Sequence, residues 1–131
     1  MMPRSLLLLF LAASILFASN FSDGMRAFRS GEYTKAKAAF EMAIEEDDAV
    51  QAHYFLGLIY LQGLGVPKNL RMARKHLEEA VEVGNARARC RLAEVYLLTK
   101  KRKEAVALLK QGSDNGAQEC AKIAEKYKIS L

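Results

Sequence analysis

The sequence predicts an all-α protein, a right-handed α-solenoid of about three helix-turn-helix repeats closed by a C-terminal capping helix. Two observations predict this fold. A pattern of small and large apolar residues occurs three times along the chain. Within each copy the small residues fall where paired helices approach closely, and the large ones fill the space between layers. Because no such repeat buries its apolar face alone, the copies are expected to stack.

The recurrence defines the elements in order. The middle copy holds Gly57, Tyr60, Ala73, Leu77, Ala80 and Gly84. The downstream copy holds Ala93, Tyr96, Ala105, Leu109, Gly112 and Gly116, and the upstream copy holds Gly24, Ala27, Ala36, Phe40 and Ala43. The pattern predicts helices near 22–30, 33–46, 49–62, 69–83, 86–99, 102–112 and 116–128. The first six form repeats of about 21–48, 49–84 and 85–116, and residues 117–131 form the cap.

The middle repeat has a longer turn between its helices than its neighbours. Gly57 and Ala73 are 16 residues apart, whereas the corresponding residues of the other two repeats are 12 apart. The extra residues fall in 63–67, where two glycines permit positive φ and a proline precedes the next helix. This segment is therefore expected to be a loop of the fold and not a phosphate-binding motif.

Ten positions of the middle repeat form a motif: Ala52, Leu56, Gly57, Tyr60, Gly63, Gly65, Val66, Ala73, Ala80 and Gly84. This motif resembles a Sel-1-like repeat, in an exported member of bacterial type. The flanking repeats look more like tetratricopeptide repeats, which have the shorter loop. Together the resemblance covers roughly residues 21–128. It implies a solenoid whose exposed groove binds another protein, and it implies no particular activity.

Residues 1–20 are interpreted as a leader, separate from a repeat domain at 21–131. Arg4 precedes an apolar run from Leu6 to Phe17, which is short for a bilayer span but has the length of a secretory signal core. We therefore expect a periplasmic or secreted protein. Cleavage after Ala18 or Ser19 would leave a large residue at position −3, so an uncleaved anchor stays an alternative. A second alternative is that this apolar segment forms the first buried helix of a cytosolic repeat array.

Charge is distributed unevenly along the chain. Residues 21–66 carry four Lys/Arg and seven Asp/Glu, whereas residues 67–131 carry fifteen and eight. This asymmetry is either an ordinary solvated surface or a means of steering an acidic partner or an anionic membrane surface. We expect no nucleic-acid binding, because stacking aromatic residues are not interleaved with the basic run. Contact with a membrane is expected only through an uncleaved leader.

The two cysteines of the chain are Cys90 and Cys120. An even count favours a disulfide in an oxidising compartment. Their repeat positions are offset by one residue, and neighbouring helix axes lie ~8–10 Å apart, so a bridge needs side chains that point inward. The pairing therefore stays open at this point. With His53 and His76 as the available histidines, the cysteines make no convincing zinc site, and no metal is expected.

The resemblance also implies a binding surface, because in tetratricopeptide arrays the first helix of each hairpin lines the concave face. The exposed positions of those helices carry over as Met25, Phe28, Gln51, Tyr54, Leu58, Leu61, Gln62, Arg87, Cys90, Glu94, Leu97 and Leu98. Such an apolar stripe is expected to hold a partner segment or a second copy of the chain. The alternative is that tight curvature buries much of it. We predict that Leu58→Asp or Leu97→Asp weakens partner binding and leaves the helical fold intact.

Catalytic motifs are absent from the sequence: there is no nucleophile elbow, paired-carboxylate motif, HExxH or phosphate loop. We therefore expect no catalytic residue and no cofactor. The leading hypothesis is a non-enzymatic adaptor or scaffold of the cell envelope or secreted fraction. The alternatives are a periplasmic immunity-type protein that neutralises a secreted toxin, a cell-wall or β-lactam ligand binder with weak hydrolase activity, and a cytosolic scaffold. A polar, carboxylate-lined pocket would favour the ligand binder, and a continuous apolar groove the adaptor.

Overall fold

The computed structural model describes residues 2–6 and 19–131. Seven helices lie within residues 19–131, residues 4–6 are also helical, and the described residues contain no strand. The seven helices are α1 (Ser19–Arg29), α2 (Tyr33–Asp47), α3 (Ala52–Gln62), α4 (Leu70–Glu82), α5 (Ala86–Leu98), α6 (Arg102–Asp114) and α7 (Gln118–Lys126). The predicted all-α repeat fold is confirmed. Most of the expected signal core, residues 7–17, lies outside the described residues. Among the described helices, none has the length and apolar character needed to cross a membrane.

The helices pack in antiparallel pairs that stack in sequence order. α1 packs on α2, α3 on α4 and α5 on α6, and each pair contacts the next through α2 and α3 or through α4 and α5. The last helix, α7, packs on both α5 and α6. It therefore occupies the place that the first helix of a fourth repeat would take, as expected for a capping helix.

Glycines mark the points where the two helices of a pair cross. A Cβ built on Gly57 would lie 2.6 Å from the side chain of Leu77, and one on Gly24 would lie 2.7 Å from the ring of Phe40. Leu77 and Phe40 are fully buried, so neither side chain has free space to move into. The two glycines thus have the same role in successive repeats, in agreement with the sequence alignment of the copies.

We predict that Gly57→Leu destabilises the protein by ~1–3 kcal/mol, because the new side chain overpacks the contact between α3 and Leu77. Ala107→Leu is the matched control, since Ala107 is exposed on α6. Chemical denaturation of both variants measures the effect. A Gly57→Leu protein as stable as the control would show that α3 and α4 do not cross at this glycine.

The loop between α3 and α4 has the predicted backbone. Gly63 and Gly65 both have φ of 67°, and the side chain of Asn69 caps α4 by accepting a hydrogen bond from Met72 N at 3.0 Å. The start of α3 differs from prediction by three residues. Asp48 adopts a left-handed conformation that ends α2, and the following turn is tight, with Ala52 N donating to Ala49 O. This turn delays α3 until Ala52.

The predicted solvent-facing stripe is wrong for the five members that are buried, Tyr54, Leu58, Leu61, Cys90 and Glu94. Tyr54, Leu58 and Leu61 are only 4%, 9% and 3% exposed, and they belong to the central core. Sequence analysis gave burial by tight curvature as the alternative, and this is what the structure has. These side chains are enclosed because α3 contacts α5 directly. Leu97 is half-buried against the core around Cys90 and Leu109. The expectation that Leu58→Asp or Leu97→Asp leaves the fold intact is therefore withdrawn.

Candidate binding groove

A groove runs between α3, α5 and α7, the helices that stand first in their pairs. It consists of two adjoining cavities of about 390 and 300 Å³. The cavities share the side chains of Arg91, Glu94 and Lys126. The larger is completed by Glu119, Lys122 and Ile123, and the smaller by Leu61, Gln62, Lys68, Leu98 and Tyr127. We call this continuous surface the groove.

Glu94 is the centre of the groove. Its side chain is buried, at 5% exposed, and no other charged residue in the described part of the chain is buried. Its carboxylate accepts hydrogen bonds from Lys126 Nζ at 2.8 Å, Arg91 Nη1 at 3.0 Å and Tyr127 Oη at 3.1 Å. Arg91 and Lys126 come from different helices, so the carboxylate ties α5 to α7. These three donors offset the desolvation penalty of burying the carboxylate.

These contacts determine the charge state of the groove. Burial raises the pKa of Glu94, but the hydrogen bonds and positive charges of Lys126 and Arg91 outweigh it, and the net pKa lies below its ordinary value. The pKa of Lys126 is raised, first by its hydrogen bond to Glu94. Both groups therefore stay ionised at neutral pH. The groove has four cationic side chains, Lys68, Arg91, Lys122 and Lys126, against two carboxylates, Glu94 and Glu119.

Arg91 holds two walls of the groove at once. Its guanidinium forms ion pairs with Glu94 on its own helix and with Glu119 on α7. Within the described part of the chain its Nε is buried without a hydrogen-bond partner. Tyr54 lies beside this cluster and under the guanidinium of Arg87, 5.0 Å from the ring centre. Burial is the main reason that the pKa of Tyr54 is raised.

A disulfide between Cys90 and Cys120 lies beneath the groove. It joins α5 to α7, with 4.8 Å between the two Cα atoms and both side chains fully buried. Whether Cys90 and Cys120 can pair was left open by the sequence, and Gly112 on α6 explains why they do. A Cβ at Gly112 would collide with Sγ of Cys120, so the missing side chain provides the space that the bridge occupies. The covalent link fixes the distance between two walls of the groove.

Eight of the twelve predicted binding residues lie elsewhere than in this groove. Leu61, Gln62, Glu94 and Leu98 line it, and Gln62 and Leu98 are exposed. Glu94 was predicted to be exposed and is buried, because Arg91, Lys126 and Tyr127 cover its carboxylate. Met25 lines a separate cavity along α1, of about 480 Å³. Phe28 packs between the rings of Tyr33, Phe40 and Phe55, and Arg87 covers Tyr54.

Several groove residues were missed in the sequence. Arg91 lies between two predicted positions, and Glu119, Lys122 and Lys126 are on α7, which the sequence predicted only as a capping helix. These residues could have been found from the position of α7. A capping helix that takes the place of a first helix also contributes side chains to the concave face. The residues that it supplies are charged, so the groove is more polar than predicted.

The two histidines form a pair between α3 and α4, away from the groove. Their Nδ1 atoms are 3.0 Å apart, and His76 stacks on Tyr60 with its ring parallel to the tyrosine ring. Burial and then the neighbouring His53 lower the pKa of His76 to about 4, and burial lowers the pKa of His53. Lys37, Lys75, Glu41 and Glu79 are the other charged groups that act on the pair. Among the described residues no group of three His, Cys, Asp or Glu could hold a metal ion.

We predict that the free energy of unfolding decreases as the pH falls from about 6.5 to about 4. The unfolded chain protonates His76 near 6.5, whereas the folded protein keeps it neutral to about 4, so the unfolded state binds more protons in this range. The loss is ~1–2 kcal/mol, since the ring is partly open to water. Urea unfolding of the wild type and of His76→Phe at pH 7 and 4.5 measures it. An equal pH dependence in both proteins would contradict the assignment to His76.

Comparisons with known proteins agree with the repeat architecture. Residues 50–85 match the Sel1 repeat family model, and residues 23–63 match a tetratricopeptide repeat model. A stretch of 41 residues is 51% identical to the ERAD-associated E3 ubiquitin-protein ligase component HRD3B of Arabidopsis thaliana. That alignment covers 31% of this chain and 7% of the relative. Repeats of these two families generally mediate protein–protein interaction and are typically non-enzymatic.

Proposed function

We propose that this protein is a non-enzymatic adaptor or scaffold that binds a partner protein through the groove between α3, α5 and α7. The observation that carries the proposal is the construction of this groove. Its walls are fixed to each other by the Cys90–Cys120 disulfide and the ion pairs of Glu94, while Gln62, Leu98 and Lys126 stay exposed at its surface. A preorganised surface of this kind binds with little ordering cost.

The setting that we propose is the cell envelope or the secreted fraction. The leader provides the first support, because its apolar run has the length of a signal core. The disulfide provides the second, since structural disulfides persist in oxidising compartments and are rare in the cytosol. An immunity-type protein that neutralises a secreted toxin is one form of this proposal. HRD3B is named as a component of a larger ligase assembly, which is the general type of role proposed here.

The alternative of a cell-wall ligand binder with hydrolase activity gains less support. The groove is polar, as that alternative requires, but its carboxylates are neutralised by cations. A general acid needs a raised pKa, whereas the pKa of Glu94 is lowered. Glu94 therefore presents a fixed charge for recognition and is not in the protonated state that a general acid requires.

Affinity capture of the tagged full-length protein from fractionated native cells tests the proposal. Mass spectrometry would identify both the N-terminus of the bait and its companions. Leu98→Asp alters the groove, and Val83→Asp is the matched control, because Val83 is 54% exposed on the turn between α4 and α5. We expect one stoichiometric companion that Val83→Asp retains and Leu98→Asp loses. A companion retained equally by both variants, or a processed bait with no companion, would overturn the proposal.

A further inference from the structure

Charge is separated between the two long edges of the solenoid. Antiparallel pairing brings the turns within pairs, 30–32, 63–69 and 99–101, to one edge together with the segment 127–131 that follows α7. Residues within three positions of these segments include ten Lys or Arg and three Glu. At the other edge, residues within three positions of 48–51, 83–85 and 115–117 include seven Asp or Glu and one Arg. We call these the basic edge and the acidic edge.

Contacts between repeats show that the basic edge is continuous. On the basic edge, Gly65 packs against the backbone at Thr34, so the first two turns are adjacent. Lys68, Leu98 and Lys126 line one cavity, which joins the second turn to the ends of α5 and α7. Within the first repeat, the side chain of Asn20 at the start of α1 donates to Glu46 and Asp47 at the end of α2, so the start of α1 lies at the acidic edge. The charges therefore form two rows on opposite sides.

The cations of the basic edge are available to a partner. All ten are exposed. Among the described residues, Lys126 is the member of this set that forms an ion pair, and Lys101 lies over the ring of Tyr96. So many like charges in one row attract an oppositely charged partner and repel each other until it binds. The row ends at the groove, where Leu98 is 39% exposed beside Lys68 and Lys126.

We infer that the basic edge and the adjoining end of the groove dock an extended acidic segment of the partner protein. This inference rests on the proposed function and specifies the chemistry of the partner. The three turns and the segment 127–131, at ~8–10 Å spacing, span roughly 30 Å, which about ten residues of extended chain cover. The carboxylates of the segment lie along the lysines, and one apolar side chain enters the groove beside Leu98.

A membrane surface fits these observations less well than a protein segment does. A lipid surface cannot enter the groove between α5 and α7, where the apolar contact at Leu98 lies. A second copy of the chain fits less well too, because the acidic edge consists of short turns between helices and not of an extended segment.

Fluorescence anisotropy with labelled synthetic peptides tests the inference. The probe is a peptide of about ten residues in which Glu alternates with Ser around one central Leu. Two control peptides replace Glu by Gln, or Leu by Ser. We expect the probe to bind, the Gln peptide to bind about tenfold or more weakly, and the affinity for the probe to fall as NaCl rises from about 0.05 to about 0.3 M. Equal binding of the probe and the Gln peptide would overturn the inference.

A pair of charge-reversal variants tests the location. Lys68→Glu/Lys103→Glu changes the basic edge, and Lys75→Glu/Lys110→Glu makes the same change of net charge at exposed positions within α4 and α6. We expect about a tenfold loss of probe affinity in the first variant and less than about twofold in the second. Equal losses in both would show attraction by net charge alone and would overturn the inference.

The competing occupants have their own readouts. Co-sedimentation with phosphatidylcholine vesicles that contain phosphatidylglycerol would assign the basic edge to a membrane if the vesicles bind and the probe does not. Sedimentation velocity would assign it to a second copy if Lys68→Glu/Lys103→Glu abolishes self-association. Either result overturns the inference. A captured partner that Leu98→Asp loses but Lys68→Glu/Lys103→Glu retains would also overturn it, while leaving the proposed function in place.

Discussion

Leu58→Asp is expected to unfold the repeat domain, whereas Leu98→Asp is expected to leave it folded. Both positions were predicted from the sequence to lie on one binding stripe, but their environments differ. Leu58 is 9% exposed in the central core, and Leu98 is 39% exposed at the groove. An aspartate at position 58 removes a core side chain and places a carboxylate where neither water nor a cation of the core can compensate for it.

The expected loss for Leu58→Asp is more than about 4 kcal/mol, a large part of the total stability of a domain of this size. Leu98→Asp is expected to change stability by less than about 1 kcal/mol. Far-UV circular dichroism and thermal melting distinguish the two outcomes. A cooperative transition of Leu58→Asp near the wild-type temperature would show that the inner side of α3 is open to solvent, so that the original stripe would be the binding surface.

The repeat fold was predictable because its signal is local and repeated. Gly24 and Gly57 each pack against a large residue of the following helix, and the spacing between those pairs appears directly in the sequence. The length of the loop at 63–67 was predictable for the same reason. What the spacing does not contain is the distance between α3 and α5, and this distance decides whether Leu58 faces solvent or core.

The groove was less predictable because its key contacts join residues far apart in sequence. Glu94 and Lys126 are 32 positions apart, and a helical pattern shows which face each occupies but not that the two side chains meet. One signal was present. Gly112 stands where the middle repeat has Ala80, and the lost methyl group makes room beside the two cysteines. A smaller residue at a repeat position is thus a sign that something else occupies the space.

Removal of the Cys90–Cys120 disulfide is expected to lower stability by about 3–4 kcal/mol. The bond closes a loop of 30 residues, so breaking it increases the conformational freedom of the unfolded chain. For a domain of this size the melting temperature is expected to fall by on the order of 10 °C or more. Thermal melting of the wild type with and without reductant, and of Cys90→Ala/Cys120→Ala, measures the effect.

The loss is expected to be concentrated in α7, because this nine-residue helix is too short to persist without tertiary contacts. Without the bond, its attachment depends on the burial of Ile123 and Ala124 and on the ion pairs of Lys126 and Glu119. Hydrogen exchange is therefore expected to rise in Gln118–Lys126 before it rises in α3 or α4. Reductant is expected to have no further effect on Cys90→Ala/Cys120→Ala, which controls for effects of the reductant other than breaking the disulfide.

Unchanged protection of α7 in the reduced protein would show that packing alone holds this helix in place. The expected increase in exchange would mean that one wall of the groove depends on the disulfide. Lys126 of α7 and Tyr127, the residue that follows α7, both donate to Glu94 in this wall.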